Sequence, residues 1–137
     1  KEEFPDLVED IIFTGEQPFE RIPYYLGAAN VLVLPMQDSP MEQSRFPIRL
    51  GDYLASGRPI VSNAVGEVKL VLESEGCGLT CDPRDLISFA RNIMNLLKDE
   101  KLQNELGEKA SLAAENRYSW SKIALELADI YSMLKRS

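Results

Sequence analysis

Histidine is missing altogether from this 137-residue chain. Its absence removes Ser-His-Asp and Cys-His nucleophile systems and every zinc site that needs imidazole. Acid-base chemistry here must use carboxylates, lysine, tyrosine or the substrate itself. Basic residues are in deficit: 15 Lys+Arg against 22 Asp+Glu leave a formal charge of −7, which argues against nucleic acid as a partner, since a phosphate backbone needs a basic face. Cysteine is scarce. Cys77 and Cys81 are four apart across Gly78, and an extended segment holds them ~13 Å apart, beyond disulfide reach. They are expected to be reduced thiols in a cytoplasmic protein. No apolar run approaches the roughly 18 residues of a membrane span, so any membrane association would be peripheral. The first ten residues, KEEFPDLVED, have neither the basic nor the apolar region of a secretion signal. Both glycine-rich phosphate loops, G-x-G-x-x-G and G-x-x-x-x-G-K-S/T, are lacking, as is an Asp-x-Asp pair for a divalent metal.

What is present suits one globular domain: hydrophobic residues make up 45% and charged residues 27%, enough for a core and too apolar for disorder. The first half alternates short β-rich runs with helical stretches. Residues 11–14 and 31–34 are apolar runs closed by Gly15 and Pro35, read as buried parallel strands, with 59–62 and 78–81 as shorter versions. Helices are expected over 19–28, over 48–56 with Gly57 as the stop, and over 68–75. This alternation signals an α/β fold with a parallel sheet.

The last third reads as helical. Asp82 is expected as an N-cap with Pro83 in the first turn and Asp85 at N3, ahead of a stripe of Leu86, Phe89, Ala90, Ile93, Met94 and Leu97. A second helix over 101–116 carries few large apolar residues and is expected at the surface. A third follows Ser119, its stripe of Ile123, Leu127, Ile130, Tyr131 and Leu134 expected to be packing, with Trp120 against the sheet domain.

In open α/β sheets ligands bind outside the carboxyl ends of the strands. Three loops therefore matter: the one beginning Thr14-Gly15-Glu16, residues 35–47, and residues 63–66. The second is long for an α/β connection, a common mark of function. It ends at Pro47, which suits a first helical turn, so free N–H groups near Phe46, Ile48 and Arg49 would face the crevice and attract a phosphate or carboxylate. One turn further, Arg49 and Asp52 share a helical face. Spacing alone leaves two readings: a surface ion pair, or an arginine approaching an anionic ligand while the aspartate accepts hydrogen bonds from a sugar diol.

The ordered segments IIFTGEQPFERIPYYLGAANVLVLP, FPIRLGDYLASGRPIVSNAVGEVKLVLESEGCGLTCDP and ENRYSWSKIALELADIY resemble the C-terminal, Rossmann-like, donor-binding domain of group 1 (family 4) retaining glycosyltransferases of the GT-B fold. In that family F-x-G and Y-Y-x-x-A-D-V-x-V-x-P-S precede E-x-F-G-x-x-x-x-E-A-x-A-x-G-x-P-V-V, followed by G-G-x-x-E and a late F-S-W. Matches include Gly15, Tyr24, Tyr25, Ala28, Pro35, Phe46, Ala55, Gly57, Pro59, Gly66, Gly78 and Trp120. The first glutamate of the pattern falls on Ser44, Pro47 replaces glycine, Asp52 takes the place of the second glutamate, and Glu67 and Leu70 depart from G-G-x-x-E. The run from Pro47 to Pro59 is similar to a divergent branch with a basic residue at the place of Arg49.

The resemblance implies a nucleotide-diphospho-sugar donor, a metal-independent hexosyl transfer with no cofactor, and a glycan or lipid-linked acceptor held by an N-terminal domain that this chain lacks. It implies Asp52 for the donor ribose, the Phe46, Pro47 and Ile48 backbone for the diphosphate, Arg49 as auxiliary cation, Ser44 near the sugar, and the Gly15 loop beside the base. Residues 1–137 would be a partial domain starting near its third strand, inactive alone, a suggestion that the initial Lys1 supports. The strands at 11–14 and 31–34 should then not pair directly. A catalytically retired binding or scaffolding module is the alternative. A nucleotide-sugar epimerase would need histidines that the chain does not have.

Overall fold

Ile60, Val61 and Ser62 have no exposed surface, because they form the middle of a sheet covered on both faces. In the computed structural model, which describes residues 10–135, strand β2 (Ile60–Asn63) lies between β1 (Leu32–Leu34) and β3 (Gly78–Cys81). Both pairings are parallel, with Leu32 opposite Ile60 and Ile60 opposite Gly78. Helix α1 (Ile22–Ala28) precedes β1, α2 (Pro40–Gln43) and α3 (Ile48–Ala55) lie between β1 and β2, and α4 (Gly66–Glu75) lies between β2 and β3; α5 (Leu86–Lys98), α6 (Glu100–Ala113) and α7 (Trp120–Leu134) follow the sheet. The result is the Rossmann-like α/β arrangement with a helical final third that the alternation indicates.

Side-chain alternation along β2 divides the core. Ile60 joins Leu50, Leu54, Val68 and Leu72 of α3 and α4, together with Ala110 of α6. Val61 faces the other way, onto Leu96 of α5 and Leu106 of α6. In α3 the inward positions are Pro47, Leu50 and Leu54, a helical spacing that turns Ile48, Arg49 and Asp52 outward. Gly57 ends the helix with a positive φ of 65°, as a left-handed C-terminal residue should.

Several expectations are corrected. Residues 11–14 form no strand: Ile12 is 86% exposed. A strand exists by its ladder, and among the described residues none lies beside them; no ladder joins them to β1. Asp82 caps only a turn, accepting the Arg84 N–H at 2.8 Å. Asp85 is the N-cap of α5, accepting from both the N–H and hydroxyl of Ser88, and these bonds lower its carboxyl pKa. The inward face of α5 is consequently Phe89, Ile93 and the fully buried Leu96, while Leu86, Met94 and Leu97 are exposed. Helix α6 is no surface helix, since Leu106, Gly107, Ala110 and Ala113 are buried; small residues let it approach closely, and a Cβ on Gly107 would meet the Gly57 carbonyl. The stripe on α7 is exposed, and no described residue of that helix is buried.

Cys77 is fully buried and Cys81 half-buried, and both are free. Burial, with the charge of Glu75 second, pushes the Cys77 thiol up to about 11. Below the thiol's unfolded value the shift has no effect; above it the unfolded chain ionises while the native thiol stays protonated, so stability falls as pH rises toward 11. We expect the stability difference between wild type and Cys77→Ala to shrink by about 2–3 kcal/mol between pH 8 and 11 in urea titrations. Thiol labelling of the native protein should modify Cys81 first, with both thiols reacting after denaturation.

Candidate functional site

Two buried side chains of β2 fix the carboxyl edge of the sheet. The Ser62 hydroxyl donates to the Leu34 carbonyl at 2.6 Å, and Asn63 Oδ1 accepts the Met36 N–H at 2.9 Å. The chain leaving β1 is thus tied down two residues past the strand. It then turns through α2, capped by Ser39, and brings the Gln43 backbone against Gly66 at the start of α4. Gly66 has φ +49°, and a Cβ there would lie 2.6 Å from the Gln43 oxygen. Gly66→Ala should therefore destabilise the protein by at least ~1 kcal/mol through strain and displacement of α2, measurable as a lower urea midpoint.

Pro47 is the N-cap of α3, with φ −68° and ψ 120°, one residue earlier than the first-turn position expected. Its fixed φ and missing N–H suit that place, and its carbonyl accepts the Leu50 N–H at 2.8 Å. The N–H groups of Ile48 and Arg49 have no intrahelical acceptor. The first turn of α3 holds no acid, whereas that of α4 holds Glu67. A carboxylate already sits at the positive end of α4, so the start of α3 is the better seat for an incoming anion.

A crevice of about 390 Å³ opens there, lined by Leu34, Pro35, Met36, Arg45, Phe46, Pro47, Ile48 and Arg49. Four of the residues singled out in the sequence, Phe46, Pro47, Ile48 and Arg49, are thus together at the end of β1. Asp52 is not in this crevice. It borders three adjoining hollows: one of about 390 Å³ shared with Arg49 and Tyr53, one of about 310 Å³ against α1, and a cleft of about 400 Å³ shared with Phe46, Ile48, Tyr118 and Trp120. Arg49 and Asp52 make no ion pair among the described residues, although both are exposed. Ser44 closes α2 and donates its hydroxyl to the Met41 carbonyl at 3.1 Å. Gly15 stands apart, exposed and in open space. Among the described residues no cluster of three His, Cys, Asp or Glu could hold a metal, and no helix is long and apolar enough to cross a membrane.

Sequence reasoning missed two participants. Arg45 lines the crevice, and its signal was adjacency to Phe46 in a loop already suspected. Tyr118 stacks on Phe46 with ring centroids 5.9 Å apart and planes 19° from parallel. It ends a π-helical turn (Ala114–Tyr118) that interrupts the last helices, and Arg117, paired with Glu75, lies 5.7 Å from its ring. No spacing in the sequence links these residues to Phe46. Trp120, expected against the sheet, is 78% exposed at the mouth of the 400 Å³ cleft.

A three-stranded parallel sheet flanked by helices, with a helix N-terminus at its carboxyl edge, is a Rossmann-like arrangement. The family model for glycosyl transferases group 1 matches residues 5–112, and the chain belongs to that family. Over 135 residues it is 27% identical to D-inositol 3-phosphate glycosyltransferase of Corynebacterium kroppenstedtii, an alignment covering 94% of this chain and 29% of that protein. It is 26% identical over 125 residues to N-acetyl-alpha-D-glucosaminyl L-malate synthase of Bacillus anthracis, covering 90% and 31%. Among solved structures, sucrose-phosphate synthase from Thermosynechococcus elongatus superposes with a TM-score of 0.82 at 27% identity, covering 95% of this chain and 31% of that one. The lipopolysaccharide glycosyltransferase WaaG shares the fold at a TM-score of 0.61 and 20% identity, covering 77% and 27%. The chain thus spans about three tenths of the length of these relatives.

The Phe46 ring depends on Tyr118 for its position beside the crevice. Tyr118→Ala should cost about 1–3 kcal/mol of stability in urea, while Tyr118→Phe keeps the stacked ring and should lie within ~0.5 kcal/mol of wild type.

Proposed function

We propose that this chain carries the donor site of a glycosyltransferase that moves a hexosyl group from a nucleotide-diphospho-sugar to an acceptor in glycan or glycoconjugate synthesis. One observation carries the reading: helix α3 presents an acid-free N-terminus to a crevice lined by two arginines and, one turn along, an exposed carboxylate on Asp52. The crevice suits a diphosphate, held by the amides of Ile48 and Arg49 and by the Arg49 guanidinium. Asp52 suits the donor's ribose, since an ionised carboxylate can accept both hydroxyls of a cis-diol. The leaving diphosphate would be stabilised as its charge develops by the same helix end, so the mechanism calls for no bound metal and no cofactor. Retention at the transferred carbon follows from the family resemblance.

On this reading residues 1–137 are part of a donor domain, inactive without the part that binds the acceptor, and the reaction belongs in the cytoplasm, where the free thiols stay reduced. The similar proteins bear names with an inositol phosphate in one case and malate in the other, so an acceptor other than a glycan also fits. A second reading has one observation behind it. Ser44 offers a hydroxyl already spent on Met41 where the family pattern has a carboxylate, which suits a retired module that binds the donor without transferring it.

Asp52→Asn separates the donor site from an empty crevice. Bonds to a charged group are worth ~1.5–3 kcal/mol, so the substitution should weaken nucleoside diphosphate binding about 10- to 150-fold. The 2′-deoxy analogue should bind wild type weakly and be indifferent to the substitution. Calorimetry on the full chain with uridine, guanosine and adenosine diphosphates checks this. Equal binding of both sugars, unaffected by Asp52→Asn, would leave Asp52 a solvated surface residue.

A further inference from the structure

We infer that the cleft between α3 and the start of α7 binds a neutral oligosaccharide, stacked on Trp120 and met by the carboxylates of Asp52 and Glu115. The inference concerns a different hollow from the crevice at the start of α3, which it adjoins through Phe46 and Ile48. It rests on the donor-site reading only for its functional consequence, the retention of a sugar chain beside the donor.

Gly51 is the first observation. It lies in the middle of α3, where glycine weakens a helix, yet a Cβ there would meet nothing within 4 Å. The close approaches that require Gly66, Gly78 and Gly107 therefore do not account for it. Gly51 and Ala55 line the cleft on its α3 side, and the missing side chain leaves the helix backbone bare there. Bare backbone facing a cavity is what a closely approaching ligand needs.

The remaining lining selects the ligand's chemistry. The cleft measures about 400 Å³, within the range of small-molecule pockets. Phe46, Tyr118 and Trp120 border it together with Asp52 and Glu115, and no lysine or arginine does. Phosphates, nucleotides and carboxylates would meet only like charge. Among the described residues neither carboxylate is in an ion pair, so both keep their acceptor oxygens. An acyl chain would strip water from these two groups and return no hydrogen bond. A pyranose supplies both kinds of surface at once: a face of C–H groups that lies flat on an indole, and a rim of hydroxyls that donate to carboxylates. Trp120, 78% exposed and stacked on no other ring among the described residues, is the free platform.

Trp120 is the chain's one tryptophan, so its emission reports on the cleft alone. Titrating the full chain with maltotriose, cellotriose and triacetylchitotriose should move that emission to shorter wavelength, saturating in the millimolar range for at least one of them. Gly51→Leu fills the bare floor without strain. It should keep or raise the urea midpoint while weakening that trisaccharide at least ~10-fold by calorimetry, with Trp120→Ala about 10-fold and Glu115→Gln about 3- to 10-fold. No saturable shift with any of the three overturns the inference, as does equal binding by Gly51→Leu. So does a Trp120 shift that follows protein concentration, choline or phospholipid vesicles in place of sugar, which would give the cleft to a second copy, an organic cation or a membrane. Failure of the donor-site reading is a separate result: the nucleoside diphosphates would not bind, while the trisaccharide titration stands unchanged.

Discussion

Everything at the candidate site hangs on two hydrogen bonds made where β1 ends. Ser62 and Asn63 are buried polar residues in an otherwise apolar strand, and burying them unpaired would cost more than their pairing returns. They are satisfied only when the chain beyond Leu34 takes one particular path, with the Leu34 carbonyl and Met36 N–H facing β2. That path decides where the loop turns, where Gln43 meets Gly66 and where Pro47 starts α3. The polar pair thus converts a regular ladder into a defined departure point. The crevice is what remains between the strand's end and the helix's beginning.

The helix that borders the crevice divides its labour by face. Pro47, Leu50 and Leu54 anchor it against the sheet, so Arg49 and Asp52 can remain exposed at no cost to packing. A rigid element carrying exposed charged groups on one face and core on the other holds its outward residues in fixed relation to one another. The aromatic contact from Tyr118 steadies the rim from the opposite side, drawing the far end of the chain into the same neighbourhood.

Much of this was legible in the residues. The alternation of apolar runs with helical stretches announced the parallel sheet, and Gly57, Pro47 and Ser119 marked helix boundaries within a residue of where they fall. Phe46, Pro47, Ile48 and Arg49 could be grouped because they are neighbours in sequence at a loop-to-helix junction. What escaped depends on partners distant in the chain. Residues 11–14 have a strand's composition, but among the described residues no strand ladder includes them. Asp82 and Asp85 are equally good caps, and only the geometry after β3 chooses the second. Helix α6 looked superficial because its apolar residues are small, yet small size is what admits it to the core beside Gly57. Tyr118 reaches Phe46 through a π-helical turn that leaves no periodic trace.

Asp99 closes α5 and opens α6 with the same residue: it is the C-cap of one and, through its carboxylate on the Leu102 N–H at 2.9 Å, the N-cap of the other. Gln103 reinforces the corner by donating to the Leu96 carbonyl at 2.6 Å. There is no connecting loop here to lengthen. An inserted residue would have to abandon one cap and rotate α6 relative to α5, separating Leu106 from Leu96, which jointly cover Val61. This corner is thus closed to the insertions that a looped surface connection would tolerate.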